Sequence, residues 1–343
     1  MKKLLNTLYI TLDDAYLSLE GENIVVISGD EVKGRVPLHN LEGIVSCGFR
    51  GASPAFMNKC ARDNISLSFL SGTGRFLAGV TGEQKGNVLL RKEQYRISDN
   101  EEKSLEYARN FIIGKLYNSK YVIERATRDY PMRLDTVKLK SVSSELSDSM
   151  NDAKICMSRD ILRGIEGKAA ERYFSVFDDM ILQQKDDFKF KGRNKRPPLD
   201  NVNAMLSFSY TLLSGMCASA LETVGLDPYV GFMHTDRPGR RSLALDMMEE
   251  LRSVFADRFV LSLINKRLVN GKGFTKMESG AVLMDDNTRK LFFTEWQKRK
   301  TEVITHPFLK EKVEWGVVPY VQALLLARTI RGDLDAYPPF LWK

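Results

Sequence analysis

The chain is poor in the residues that make ready-made catalytic or covalent chemistry. Its four cysteines, Cys47, Cys60, Cys156 and Cys217, stand far apart and form no CxxC pair. That spacing excludes a paired-thiol zinc site and fits free thiols in a reducing compartment. Only three histidines are present, His39, His234 and His306. There is no GxGxxG, no P-loop, no HExxH and no GxSxG elbow, which removes dinucleotide enzymes, P-loop NTPases, zincins and α/β-hydrolases from consideration. No stretch approaches the roughly 18 uninterrupted apolar residues of a membrane span. The opening MKKLLNTLYITLDD has the lysines and apolar run of an export signal. Asn6, Thr7 and Thr11 break the run, Asp13 and Asp14 follow it, and no small-residue cleavage site appears. A cytoplasmic protein with no membrane association is expected. Internal repeats and low-complexity tracts are also lacking.

What is present is an ordinary globular composition over 343 residues, long enough for two domains of about 100 to 200 residues each. Fifty-one Lys and Arg against 44 Asp and Glu leave a net charge of +7, a modest pointer to a polyanionic partner. Short alternating or β-branched runs at 8–12, 16–19, 24–27, 35–38, 43–46, 66–70 and 77–81 predict strands separated by turns such as Glu20-Gly21-Glu22-Asn23. One helix interrupts them, capped by Ser53 with Pro54 in its first turn. His39 stands alone there and reads as a surface or packing residue. From about Leu89 the period becomes helical, with helices expected over 101–130, 132–150, 155–184 and 201–224. The fold class is therefore α+β: a β-rich domain over 1–84 and a larger, all-helical domain over 85–343. A small hairpin is expected where 274–277 and 281–284 meet across Glu278-Ser279-Gly280, and a last helix over 317–330.

Chemistry concentrates in LDPYVGFMHTDRPGRRSLALDMMEE, residues 226–250. It places His234 in a loop rich in Gly and Pro, follows it with Arg237, Arg240 and Arg241, and opens a helix carrying Asp246 and Glu249. Residues three apart share a helix face, so the two acids point the same way. Imidazole and carboxylate suit Mn²⁺ or Mg²⁺, and arginines suit phosphate. The plain alternative is equally consistent with the residues: a lone histidine is more often packed than ligating, and two acids serve as the polar face of an amphipathic helix. In the preceding helix, Glu166 lies beside an apolar stripe of Ile161, Leu162, Ile165, Ala169, Tyr173 and Val176, between Gly164 and Gly167. Each glycine costs a helix about 1 kcal/mol relative to alanine. Either a neighbouring helix packs closely there or a ligand or DNA backbone approaches Glu166. The basic run KFKGRNKRPP (189–198) reads as a mobile loop, either a linker or a phosphate contact.

Four stretches carry a resemblance: LRGIEGKAAERYF (162–174), DNVNAMLSFSYTLL (200–213), GLDPYVGFMHTDRPGRRSLALDMMEE (225–250) and VPYVQALLLARTIRGDLDAYPPFLWK (318–343). Together they resemble the CRISPR-associated integrase that acquires new spacers, the universal endonuclease of the adaptation module, in the form found with type I-C systems. The resemblance covers the whole chain. It implies a β-domain that mediates homodimerisation and a helical domain holding one Mg²⁺ or Mn²⁺ between Glu166, His234 and Glu249, the catalytic set. Many relatives carry aspartate where this chain has Glu249. Asp246 and Asn203 are then auxiliary, and Glu250, about 100° further round the helix, faces elsewhere. Arg163, Arg237, Arg240 and Arg241 become contacts to double-stranded DNA, with 189–196 and 289–300 further out. The implied substrates are a prespacer and the repeat and leader of a CRISPR array. The implied partner is a second, small adaptation protein in a heterohexameric complex. Competing readings are a non-catalytic DNA-binding scaffold of the same fold and a general branched-DNA repair nuclease.

Overall fold

The computed structural model describes residues 7–10, 12–41, 43–70, 76–80, 82 and 88–343. The expected boundary at 84/85, the opening residues 1–6 and the end of the strand expected at 77–81 fall outside these residues.

The strand-forming runs make two sheets. β2 (Tyr16–Glu20), β3 (Asn23–Ser28) and β4 (Glu31–Pro37) form an antiparallel meander. β1 (Thr7–Ile10), β5 (Gly43–Ser46), β6 (Ser66–Leu70) and β7 (Phe76–Val80) form the second sheet in the order β1-β5-β6-β7, parallel until the antiparallel β6–β7 pair. The parallel β5–β6 step needs a crossover, which α1 (Pro54–Arg62) supplies. Ser53 accepts from the Phe56 amide at 3.2 Å and caps this helix as expected. Phe56 and Cys60 point inward, against Leu17, Ile24, Ile44 and Leu67, in a core of their own. His39 is exposed.

The helical region follows: α2 (Val88–Asp99), α3 (Glu101–Asp129), α4 (Thr136–Ile155), α5 (Arg159–Ser175), α6 (Asn201–Val224), α7 (Ser242–Glu249), α8 (Arg258–Asn265), α9 (Asp286–Thr301) and α10 (Val318–Ile330). Strands β8 (Phe274–Lys276) and β9 (Val282–Met284) are the expected hairpin, and β10 (Val303–Thr305) pairs with β11 (Lys312–Glu314). α6 is long and apolar enough to cross a membrane, yet most of it is buried as the central core helix.

Several expected boundaries move, each for a local reason. The helix expected at 132–150 is α4, shifted to start behind Asp135, whose side chain caps it. The helix expected at 155–184 is only α5: Cys156 is extended, Ser158 caps a new start, and the chain turns at Val176. Ile161, assigned above to the buried stripe, is 56% exposed, whereas Leu162, Ala169 and Tyr173 are buried. The helix carrying Asp246 and Glu249 ends at Glu249 and gives way to a wider π-type turn, Arg252–Asp257, before α8.

The tail after α10 docks on the core. Glu250 is buried where Tyr337 Oη, Gln322 Nε2 and the Phe340 amide all donate to its carboxylate. Burial still pushes this carboxyl up to about 7. Asn118 of α3 donates to the Glu250 and Phe340 carbonyls and accepts from the Trp342 amide. His306 joins through Gln322, and burial pushes its imidazole down to about 4, so it is neutral in the core.

Candidate active site

The loop between α6 and α7 is held in place before any ligand arrives. Gly225, left-handed at φ 86°, ends α6. Gln94 of α2 then stitches the loop, donating to the Asp227 and Val230 carbonyls and accepting from the Asp227 amide. Ser98 donates to the Gly231 carbonyl. A Cβ at Gly231 would lie 2.8 Å from Asp246 Oδ2, so only glycine lets the loop close on that acid.

Asp246, fully buried, accepts from the Phe232, Met233 and His234 amides at 2.7, 2.9 and 3.0 Å. The Oδ1 that takes the His234 amide also takes His234 Nδ1, at 2.6 Å. The acid therefore fixes both the loop and the tautomer: Nδ1 donates and the Nε2 lone pair is left for another partner. Asp246 and Glu249, both buried, make different contacts.

Glu166 of α5 and Glu249 of α7 meet at one cation, Lys115 of α3. Lys115 Nζ is hydrogen-bonded to Glu166 Oε1 and lies 2.8 Å from Glu249 Oε2. Arg252 takes the other oxygen, Glu249 Oε1, at 2.9 Å. Burial works against the Glu249 charge, but Arg252, then Lys115 and His234, outweigh it and hold its carboxyl well below the usual carboxylate range. Burial likewise disfavours the Lys115 ammonium, and Glu249 and Glu166 more than restore it. Glu249 Oε2 makes no aligned hydrogen bond despite its burial. Neither Lys115 nor Arg252 was legible beforehand as a site residue. Lys115 sits in an apolar stripe beside Phe111, Ile112 and Leu116, where one lysine reads as a snorkelling surface residue.

No three of the described His, Cys, Asp and Glu side chains close around a common point. The donor set still fits a divalent ion: two carboxylates, one with a buried oxygen lacking an aligned donor, and an imidazole oriented by an acid on its far nitrogen.

The arginines divide. Arg163 is exposed on α5, three residues before Glu166, and pairs with Asp160 at 2.7 Å. Arg240 lies close enough to Arg237 and Arg163 that burial and then those guanidiniums lower its pKa; its Nε is buried without an acceptor among the described residues. Arg241 instead turns to the Tyr229 ring, 6.0 Å from its centroid, and to Glu222. Asn203 has no hydrogen bond to Glu166, His234 or Glu249. Its side chain bonds Arg193, the Asn194 amide, the Gly192 carbonyl and Asp200, and so pins the basic run 189–198. Arg193 is drawn inward over the Tyr210 ring at 5.1 Å, and this segment is anchored rather than a free linker. Lys195 stays partly exposed, and the charges of Arg252 and Glu249 both act on it. In α9 the expectation fails for two residues: Arg289 is buried against Asp286 and Asp13, and Lys300 is 2% exposed, so neither faces DNA.

Gly164 and Gly167 settle one open alternative. A Cβ at either would meet nothing within 4 Å among the described residues, so none of the described helices packs on them, and the α5 face beside Glu166 is open to that extent.

Comparison with known proteins gives the family and the fold. Residues 8–298 match the family profile described as CRISPR associated protein Cas1. The chain is 50% identical over its full length to a CRISPR-associated endonuclease Cas1 of Chlorobaculum tepidum, and 47% identical to one of Rhodospirillum rubrum, again covering both chains completely. Among solved structures, a casposase bound to integration product superposes with a TM-score of 0.86 at 22% identity, covering 98% of this chain and 94% of the other, which establishes a shared fold. By full-length identity and by family profile, the chain belongs to the Cas1 family of CRISPR-associated proteins.

Proposed function

We propose that this protein is a metal-dependent DNA endonuclease and integrase that inserts DNA fragments as new spacers into a CRISPR array. The observation that carries the site assignment is the meeting of Glu166 and Glu249, from separate helices, with His234, its Nδ1 tied to Asp246, near enough to act on the Glu249 charge. Glu166, Glu249 Oε2 and His234 Nε2 would hold the ion. A divalent ion there supplies Lewis-acid polarisation of a phosphate and offsets charge developing on its oxygens. Asp246 keeps the imidazole oriented, and Arg252 keeps Glu249 ionised and turned. Arg163, Arg237 and Arg240, with Lys195, offer cations to backbone phosphates flanking the reacting one; such contacts position without reading sequence.

In strand transfer the 3′-hydroxyl of an incoming fragment attacks a target phosphate. The new P–O bond replaces the target's P–O3′ bond, and the attacking hydroxyl's proton ends on the departing 3′ oxygen. One phosphodiester replaces another, so no nucleotide cofactor is required. Water in place of the 3′-hydroxyl gives strand cleavage.

The finer assignments belong to this reading too: residues 1–84 as a β-rich homodimerisation domain, residues 85–343 as the catalytic domain, Mg²⁺ or Mn²⁺ as the ion, a type I-C-like system, the cytoplasm as location, and a small second adaptation protein completing a heterohexamer. The decisive experiment replaces Glu166, His234 and Glu249 singly by alanine and measures joining of prespacers into a plasmid bearing a leader and repeat. Each variant should lose on the order of 100-fold or more in rate, as expected when a metal ligand is removed. Full joining by all three makes the chain a scaffold rather than an enzyme; equal joining into plasmids without a leader and repeat makes it a general repair nuclease.

A further inference from the structure

Lys115 occupies the place where the candidate centre would bind its ion. It is 9% exposed, and its ammonium touches both Glu166 and Glu249. These two acids come from α5 and α7, helices that are brought to one point with like charges facing; a cation between them removes the repulsion. An ion held by the same two carboxylates would stand within a few ångströms of Nζ, and like charges that close in a dry site repel strongly. Lysine and ion therefore exclude one another.

The structure also contains somewhere for the lysine to go. A cavity of about 30 Å³ adjoins it, lined by Lys115, Ser119, Tyr173, Tyr210 and Asp257, among others. That space admits one water-sized group; beside apolar side chains its lining includes the phenols of Tyr173 and Tyr210, the Ser119 hydroxyl, the Asp257 carboxylate and Arg252, whose charge Glu249 and Asp257 offset. The four-carbon stem of lysine reaches several positions from one backbone site. Arg252 differs: its guanidinium is committed to Glu249 Oε1 and lies over the Tyr210 ring at 5.2 Å, which leaves Oε2 as the exchangeable oxygen.

We propose that Lys115 is a resident counter-cation of this centre, holding Glu166 and Glu249 together until a divalent ion replaces it and its ammonium withdraws into the adjoining cavity. The idea rests on the metal site argued above. It makes Lys115 a positioning residue that keeps the centre assembled before loading and sets a threshold for metal binding.

The test is calorimetric titration of Mn²⁺ into full-length wild type and Lys115→Met, with melting temperatures in EDTA and in Mn²⁺. Removing the competing charge should tighten Mn²⁺ binding by about tenfold or more. The variant should also melt below wild type in EDTA, and Mn²⁺ should close that gap. Unchanged or weaker Mn²⁺ affinity overturns the proposal. Should the variant not fold, wild-type crystals in EDTA and after a Mn²⁺ soak decide the matter. An anomalous peak bordered by Glu166, His234 and Glu249, with Nζ moved into the cavity, supports it; the same peak with Nζ still between the carboxylates overturns it alone. Absence of Mn²⁺ binding by wild type overturns the metal-site reading, and this proposal with it.

Discussion

Asp246 shows how much a single buried acid contributes here. Four donors converge on it, three from consecutive backbone amides and one from His234. Asparagine in its place turns one acceptor into a donor facing an amide or the imidazole, and each buried donor left unpaired costs about 1 to 3 kcal/mol. Asp246→Asn should therefore lower the unfolding free energy in urea and weaken Mn²⁺ binding about 10- to 100-fold, as changes to the partner of a ligating histidine do. Calorimetry with unchanged affinity would remove Asp246 from the centre. At this scale the acids and His234 were legible in the sequence, although only family resemblance ranked Glu249 above Asp246 as a ligand. Asn203 was legible as important but not in its role, because a side chain that organises a loop 9 to 11 residues away leaves no local pattern. Lys115 was invisible for a related reason. A buried charge is revealed only by partners 51 and 134 positions distant.

Among the helices, α5 is unusual in carrying Gly164 and Gly167 on its open side. In an unbound helix each glycine is a cost that nothing among the described residues offsets. Gly164→Ala and Gly167→Ala should each stabilise the free protein by about 0.5 to 1 kcal/mol. If DNA backbone approaches this face, the same changes weaken duplex binding. Chemical denaturation and fluorescence anisotropy on the same variants separate the two effects; stabilisation with undiminished DNA affinity would mean that nothing docks there. The start of α1 was readable from its cap, Ser53, whereas those of α4 and α5 were misplaced because period alone overlooked the caps Asp135 and Ser158. The break after Glu249 was not readable. Leu251, Val254 and Phe255 keep an apolar spacing that suits an ordinary helix, yet Ser253 and Asp257 are buried beside them in the π-type turn.

Taken whole, the protein carries a charge of +7, but not all its cations are available. Arg193, Arg289 and Lys300 are spent inside, whereas Arg163, Arg237 and Arg240 gather beside the candidate centre and Lys195 lies near it. Duplex binding should weaken steeply between about 50 and 200 mM salt, and Arg237→Ala should lower the slope of log affinity against log salt by about 1. Anisotropy titrations check both, and a flat salt response would detach these arginines from DNA. The division between a strand-rich start and a helical remainder was legible because the hydrophobic period itself changes near Leu89. How the two parts touch was not: Tyr9 stacks on Phe293 at 4.5 Å, a meeting of residues nearly the whole chain apart.

The docked tail has one more consequence, in optical terms. All three tryptophans, Trp296, Trp315 and Trp342, lie in the helical region, and Trp315 stands 5.3 Å from Trp342 and 5.6 Å from the Phe340 ring. Tryptophan emission is therefore a local gauge: it reports whether the tail is seated over Glu250 and Asn118, and the N-terminal strands contribute no tryptophan to it.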